Sequence, residues 1–235
     1  METEANTSDH RQNARPPKRR WKWVVLLIAI IALSLMWPLY EVRRQTHAKR
    51  YLEGTGEFYY EEYGPRWYRR LAVKYGLPVL KRPFNLAVKD VADHEIKHIE
   101  VLDSLRSVDF IRGYLIDAGL ERVLRLPKLE TLGFWGTSIP DEGLRHLGKC
   151  PSLQMLILDK TSVTDSGLVH LACLKDLMRL RLCSRTITAS SLRHISHCVT
   201  LEYLELPYTD IDDTGLVHLA GLKNLITLEL QGRLI

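Results

Sequence analysis

Cysteine is scarce in this chain, with four residues among 235. Four cysteines are too few for a small disulfide scaffold, and no two of them form the C-x-x-C pair typical of zinc sites. Hydrophobic residues make up 46% of the chain and charged residues 26%. This composition indicates a folded chain, and the length allows one or two domains.

A large excess of one charge is also missing from most of the chain. The formal charge of +5 comes from 33 basic and 28 acidic residues. Residues 1–40 carry six basic and three acidic side chains, so the remaining 195 residues hold 27 against 25, a net charge of only +2. The basic excess therefore lies beside an apolar run and not on a folded face. We expect no nucleic-acid partner.

The apolar run covers residues 23–40, which contain no charged side chain. At about 1.5 Å per residue, a helix of this length spans roughly the 30 Å hydrocarbon core of a bilayer. Trp21, Trp23, Trp37 and Tyr40 stand at the two ends, as is typical of interfacial aromatic residues. A signal peptide would have a shorter apolar region and small residues before its cleavage site. We therefore predict a basic tail over 1–20 and an uncleaved transmembrane helix over 21–40.

The basic residues that flank this helix predict its orientation. Six lie on the amino side of the apolar run 23–40, and four follow it: Arg43, Arg44, Lys49 and Arg50. By the positive-inside rule, we expect a single-pass membrane protein with a cytoplasmic amino terminus and an extracytoplasmic repeat domain. Residues 41–63 read as a linker. Residues 64–80 read as a capping helix, with Pro65 in its first turn and Gly76 as its stop.

Self-similarity with a period of 24 residues fills the rest of the chain. Rows of 24 that begin at Leu105, Leu129, Leu153, Leu177 and Leu201 carry apolar residues at offsets 0, 3, 5, 10, 15 and 18 without exception. A weaker copy begins at Lys81 and a truncated copy at Leu225. With half of all positions apolar by chance, thirty matches would arise on the order of once in a billion. We therefore assign residues 81–235 to the repeats.

Each row predicts one strand and one short helix. The L-x-x-L-x-L segment at its start alternates as a half-buried strand does. Asp at offset 12 is expected to accept the free N–H groups of the helical turn that follows. Glycine at offset 14 is expected to permit close approach of neighbouring rows. Because no row can bury its own leucines, the rows must stack.

Segments such as LQMLILDKTSVTDSGLVHLACL, from Leu153, resemble leucine-rich repeats. They are most similar to the cysteine-containing class and to the T-x-[IV]-T-D-x-G-L variety common in bacterial membrane-anchored repeat proteins. The resemblance implies an α/β leucine-rich-repeat solenoid, with a parallel β-sheet on the concave side and short helices on the convex side. The Leu177 row departs from the pattern, because Ala189 and Ser191 replace its Asp and Gly.

The other motifs give no support for an enzyme, a cofactor or a metal. The segment 143–150 nearly spells a P-loop, but Cys150 stands where the Mg²⁺-binding hydroxyl is needed. Five histidines share offset 17 and are expected to form a solvent-facing column; they are His98, His146, His170, His194 and His218. Cys150 and Cys198 occupy core positions, and Cys173 lies one row from each. We expect no catalytic residues.

The concave face is the expected binding surface. Its outward positions combine Trp, Tyr, Met and Arg, the residue types that dominate protein-binding hot spots. Seven parallel strands about 4.8 Å apart give a face roughly 30 Å long, enough for a standard interface. We predict that a partner protein contacts nine side chains, called the concave strip below: Trp135, Met155, Ile157, Met178, Arg179, Arg181, Tyr203, Glu205 and Tyr208.

Several alternatives stay open. The repeats could face the cytoplasm as an adaptor that resembles ubiquitin-ligase substrate receptors. They could bind an envelope glycan, or hold a metal with the convex histidine column. The last strand is expected to present an open edge, which could pair with another copy of the chain.

Overall fold

The computed structural model describes residues 40, 43, 56–62 and 81–231. The strands and helices within residues 56–62 and 81–231 belong to one compact unit, residues 43–235. The predicted tail, the predicted capping helix over 64–80 and the predicted transmembrane helix, apart from Tyr40, lie outside the described residues. Among the described residues, no helix is both long and apolar enough to cross a membrane.

Eight strands form one sheet in chain order. They are β1 (Gly56–Glu62), β2 (Lys81–Val91), β3 (Ser107–Gly113), β4 (Thr131–Trp135), β5 (Met155–Asp159), β6 (Arg179–Cys183), β7 (Tyr203–Pro207) and β8 (Thr227–Gln231). Strands β2 to β8 are parallel, and from β3 onward aligned residues are mostly 24 positions apart. The sequence period is therefore the strand register of the sheet.

Helical turns connect the parallel strands. The α-helices are α1 (Asp117–Leu124), α2 (Asp165–Leu168), α3 (Ser191–Ile195) and α4 (Asp213–Leu216). The 3₁₀ segments are η1 (Asp93–Val101), η2 (Asp141–Lys149), η3 (Val169–Cys173) and η4 (Val217–Gly221). Each row thus supplies one strand and one helical turn, as the L-x-x-L-x-L pattern predicts.

The repeated apolar positions build one continuous core. In the Leu153 row, every predicted core side chain is at most 1% exposed; these are Leu153, Leu156, Leu158, Val163, Leu168 and Leu171. The aromatic rings of Phe110 and Phe134 stack in the neighbouring rows, with centroids 5.6 Å apart. Burial of this kind contributes about 25 cal/mol per Å² of apolar surface and is the main stabilising term.

Strand β1 differs from the prediction, which assigned 41–63 to a linker. It pairs antiparallel with β2, and its Phe58 aligns with Leu86 and packs against the core. Tyr59, the next residue, points the other way and is 52% exposed. So short a segment alternates too weakly to be recognised as a strand from sequence alone.

The Asp of each row has a different role from the one predicted, whereas the glycines permit close approach of neighbouring rows, as predicted. Asp141 accepts hydrogen bonds from the Thr164 backbone N–H, at 2.8 Å, and from the Thr164 hydroxyl, both in the next row. Asp93 likewise accepts from the N–H groups of Ile116 and Gly119. Asp93 and Asp141 therefore tie one row to the next instead of capping their own helix.

The repeat glycines make room for these carboxylates. A Cβ atom on Gly119 would collide with the Asp93 carboxylate, and one on Gly167 would collide with Asp141. Two helices are capped instead by the residue at offset 11. Thr164 caps α2, and Asp212 caps α4 by accepting from two backbone N–H groups.

Candidate interaction surface

Strand alternation brings most of the concave strip together in two lateral rows. Register aligns Met155, Arg179 and Tyr203 across β5, β6 and β7. It also aligns Ile157, Arg181 and Glu205 across the same strands. Met178 lies just before β6, and Tyr208 follows β7 with its side chain 57% exposed. These eight residues therefore lie on or beside three adjacent strands.

Arg179 and Tyr203 form a cation–π pair on the surface of the strip. The guanidinium carbon of Arg179 lies 4.4 Å from the ring centroid of Tyr203. The two residues are directly opposite each other on β6 and β7, where side chains reach one another most easily. The pair gives the strip a flat surface that combines an aromatic ring with a positive charge.

Arg181 connects three strands through ion pairs. Its Nε donates to Asp159 Oδ2 on β5 at 3.3 Å, and its Nη1 donates to Glu205 Oε2 on β7. Burial alone would lower the pKa of Arg181, but the hydrogen bonds to Glu205 and Asp159 raise the pKa above its ordinary value. The guanidinium therefore stays charged, and its donors are held in place before any partner arrives.

Ile157 does not offer the surface that the sequence predicts. Its side chain is only 5% exposed, although alternation points it away from the leucine core. Its neighbours in register are Gly133 on β4 and Arg181 on β6. Alternation predicts the direction of a side chain, but it does not predict how much of that side chain the surrounding residues cover.

Trp135 lies apart from the eight residues above and points toward β3. Its Nε1–H donates to Asp109 Oδ1 at 3.1 Å, across the strand position of Gly133. A Cβ atom on Gly133 would collide with Asp109 and lie 2.9 Å from Trp135 Nε1. Glycine at this position is therefore what lets the carboxylate and the indole meet.

A hollow of about 480 Å³ lies beside this pair. We call it the aromatic hollow, and its lining residues are Tyr59, Asn85, Ala87, Asp109, Ile111 and Trp135. Tyr59 comes from β1, so a strand within the predicted linker completes the wall. Asn85 is missing from the sequence prediction as well, because its place in the same hollow as Asp109 follows only from the pairing of β2 with β3.

A second hollow, of about 490 Å³, lies at the carboxyl ends of β5 to β7. We call it the basic hollow, and it is lined by Lys160, Thr161, Cys183, Ser184, Arg185 and Tyr208. Lys160 and Tyr208 adopt left-handed backbone angles, with φ of 51° and 56°. Burial, together with the Asp159 carboxylate, raises the pKa of the Cys183 thiol, so this thiol is a poor nucleophile.

The convex side carries the histidines and the exposed cysteine. His146, His170, His194 and His218 are partly buried. Within residues 56–62 and 81–231, no group of three His, Cys, Asp or Glu side chains is placed to hold a metal ion. Cys150 and Cys198 are buried, as predicted, whereas Cys173 is exposed and all four thiols are free.

Comparison with known proteins bears on the fold. No protein-family model matches the sequence, and no curated protein matches it either. The structure resembles an internalin C2 from Listeria monocytogenes with a TM-score of 0.53 at 25% identity, over 64% of this chain and 62% of that one. The chain thus matches less than two thirds of the length of that internalin.

Two further solved structures align over a similar share of the chain. An internalin (inlF) from Listeria monocytogenes aligns with a TM-score of 0.42 at 17% identity, over 63% of this chain and 47% of that one. The plant peptide hormone receptor RGFR1, in complex with RGF2, gives 0.37 at 18% identity, over 63% and 27%. The 24-residue register and the likeness to internalin C2 together confirm the leucine-rich-repeat solenoid predicted from the sequence.

Proposed function

We propose that this chain is a single-pass membrane protein whose repeats bind a partner protein on the concave strip. It acts as an interaction or scaffold module and not as an enzyme. The observation that carries the proposal is the ordered set of cross-strand contacts on β5, β6 and β7. Solenoid proteins commonly use such extended concave surfaces for binding.

The contacts within the strip favour binding because they hold its side chains in place. Arg181 is fixed between Asp159 and Glu205, and Arg179 is stacked on Tyr203. Ordering a long side chain at an interface costs about 0.5–1.5 kcal/mol, and here much of that ordering precedes binding. Arginine and tyrosine are also among the residue types that most often dominate binding energy.

The membrane location rests on the sequence. The apolar residues 23–40 and the basic residues before them support an anchor with a cytoplasmic amino terminus. On this topology the repeats lie outside the cytoplasm, where the concave strip meets envelope or extracellular proteins. The adaptor in the cytoplasm is the opposite topology, and a labelling experiment on Cys173 separates the two.

Photo-crosslinking in intact cells tests the binding surface. A photo-reactive amino acid is placed at Tyr203 or at Trp135, with His170 on the convex side as the control position. We expect a discrete protein adduct from the two concave positions and none from His170. An adduct from His170 alone, or no protein adduct from any position, contradicts binding on the concave strip.

Strand β8 supports a second candidate, which is self-association. Within the described residues β8 pairs only with β7, and all five of its residues are exposed. Ile226, Leu228 and Leu230 are 71%, 39% and 44% exposed. An exposed apolar strand edge is a surface on which a second strand can pair. Analytical ultracentrifugation of the full chain in detergent tests this, and a monomer at every concentration contradicts it.

A further inference from the structure

The aromatic hollow contains a carboxylate without a cation. Asp109 Oδ1 accepts the Trp135 indole N–H, and no lysine or arginine in the described part of the chain forms an ion pair with Asp109. The neighbouring cations are already paired. Lys89 contacts Glu57, Arg106 contacts Glu130 at 2.8 Å, and Arg112 contacts Asp90 at 2.7 Å. The charge of Asp109 is therefore not balanced by these neighbours.

A second acceptor in the same hollow has no donor. The side-chain oxygen Oδ1 of Asn85 is buried and makes no hydrogen bond. It is the one buried side-chain polar atom of this kind among the residues that the structure describes. A buried acceptor without a donor costs about 1–3 kcal/mol, and native proteins rarely retain one without a reason. A ligand that carries several N–H groups would remove this cost.

The remaining walls suit a positive charge. Tyr59 and Trp135 contribute two aromatic rings, and cations are attracted to the faces of such rings. Ala87 and Ile111 contribute apolar surface, against which the methylene stem of a long cationic side chain can pack. Carboxylate, amide oxygen and aromatic rings together match the guanidinium group, which is planar, always charged and rich in donors.

We propose that the aromatic hollow binds an arginine side chain of the partner protein. The inference rests on the proposed function, because the arginine is presented by the protein that covers the concave strip. In the bound state the guanidinium donates to Asp109, and a rotation of the Asn85 side chain turns its buried Oδ1 toward the same guanidinium. Trp135 stays hydrogen-bonded to Asp109 and provides a flat surface beside the guanidinium.

Fluorine NMR on the full chain in lipid nanodiscs tests this assignment. The chain contains five tryptophans, which are labelled as fluorotryptophan, and Trp135→Phe identifies the resonance of Trp135. The probe is Nα-acetyl-arginine amide, and the matched control is Nα-acetyl-citrulline amide, which has the same shape and no charge. We expect the arginine compound to shift the Trp135 resonance saturably, with millimolar affinity.

Two variants separate charge from shape. Asp109→Asn keeps the size and one acceptor but removes the charge, and we expect about tenfold weaker binding of the arginine compound. Glu229→Gln removes an exposed carboxylate from β8, at the other end of the sheet, and should leave the titration unchanged. An equal response to arginine and citrulline, or equal binding by Asp109→Asn, overturns the proposal.

The two proposals fail separately. Absence of a protein adduct at Tyr203 and Trp135 contradicts the proposed function, whatever the titration shows. An adduct that forms at Tyr203, together with equal titration by arginine and citrulline, contradicts only the assignment of the aromatic hollow. An adduct at Tyr203 that weakens in Asp109→Asn supports both.

Discussion

The guanidinium of Arg179 lies 4.4 Å from the ring centroid of Tyr203, across the β6–β7 strand pair. This pair joins the Leu177 row to the Leu201 row on the concave face. We expect a coupling free energy of about 0.5–1 kcal/mol between the two side chains. A double-mutant cycle of Arg179→Met and Tyr203→Leu, followed by urea unfolding of the full chain in detergent, measures it. Strictly additive effects of the two substitutions would contradict the pair.

Gly133 is expected to tolerate no side chain. The Cβ atom of Gly133→Ala would collide with Asp109 and break its hydrogen bond to Trp135. Overpacking of this kind costs about 1–3 kcal/mol of unfolding free energy. The control is Gly221→Ala, because a Cβ atom there has no neighbour within 4 Å. Equal stability of the two variants in urea unfolding would show that β4 can shift to accept the methyl group.

Asp141 is expected to stabilise the stack more than Asp213, which occupies the same offset. Asp141 accepts two hydrogen bonds from Thr164 in the next row. Removal of the carboxylate in Asp141→Ala leaves the Thr164 N–H without a protein partner and lowers the free energy of unfolding by about 1–3 kcal/mol. Asp213 is exposed, and its replacement by alanine should lower the free energy of unfolding by much less than the replacement of Asp141 does. The midpoints of urea unfolding for the two alanine variants check the difference.

Glu121 gives the stack an acid-sensitive link. Hydrogen bonds from Lys149 and Arg125 lower the pKa of Glu121 from 4.5 to about 2. Because the pKa is lower in the folded state, this stabilisation is complete above pH 4.5 and is lost as the pH falls toward 2. We expect Glu121→Gln to flatten the pH dependence of the unfolding temperature in this window. Parallel curves for the two proteins would contradict the link.

Cys173 reports which side of the membrane the repeats occupy. It is the exposed thiol, whereas the other three cysteines are buried. On the proposed topology, a membrane-impermeant maleimide labels intact cells, and Cys173→Ser abolishes the label. Labelling only after permeabilisation would instead place the repeats in the cytoplasm. Although Cys173 is exposed, partial desolvation by neighbouring atoms raises the pKa of its thiol. The reactive thiolate therefore becomes more abundant as the pH rises, and the labelling rate should keep increasing above pH 8.

The period of the leucines predicts the fold because each row repeats the same burial. Positions such as Leu156 and Leu180 align in register and are almost fully buried. Strand β1 escapes prediction because it belongs to no row and pairs antiparallel. The hydrogen bonds between Asp141 and Thr164 also escape prediction, because the pattern within one row does not show which residue of the next row donates to its aspartate.

The candidate site is predictable only in outline. Alternation identifies the outward positions of β5, β6 and β7, but not the shielding of Ile157. The contact between Trp135 and Asp109 depends on the missing side chain at Gly133. Composition suggests hot-spot residues on this face, whereas the aromatic hollow needs three-dimensional placement of Tyr59 and Asn85.

The Leu177 row interrupts the chain of aspartate links. Ala189 stands at the offset where Asp141 and Asp165 reach forward, and α4 is capped by its own Asp212. On the helical side, the junction with the Leu201 row therefore lacks an aspartate link of this kind. The ion pair of Arg181 with Glu205 spans that same junction on the opposite face. A partner that binds across β6 and β7 would contact both rows and stabilise the junction between them. Among variants of the concave strip, those that bind the partner more tightly should then give the Leu201 row more protection from hydrogen exchange in the complex.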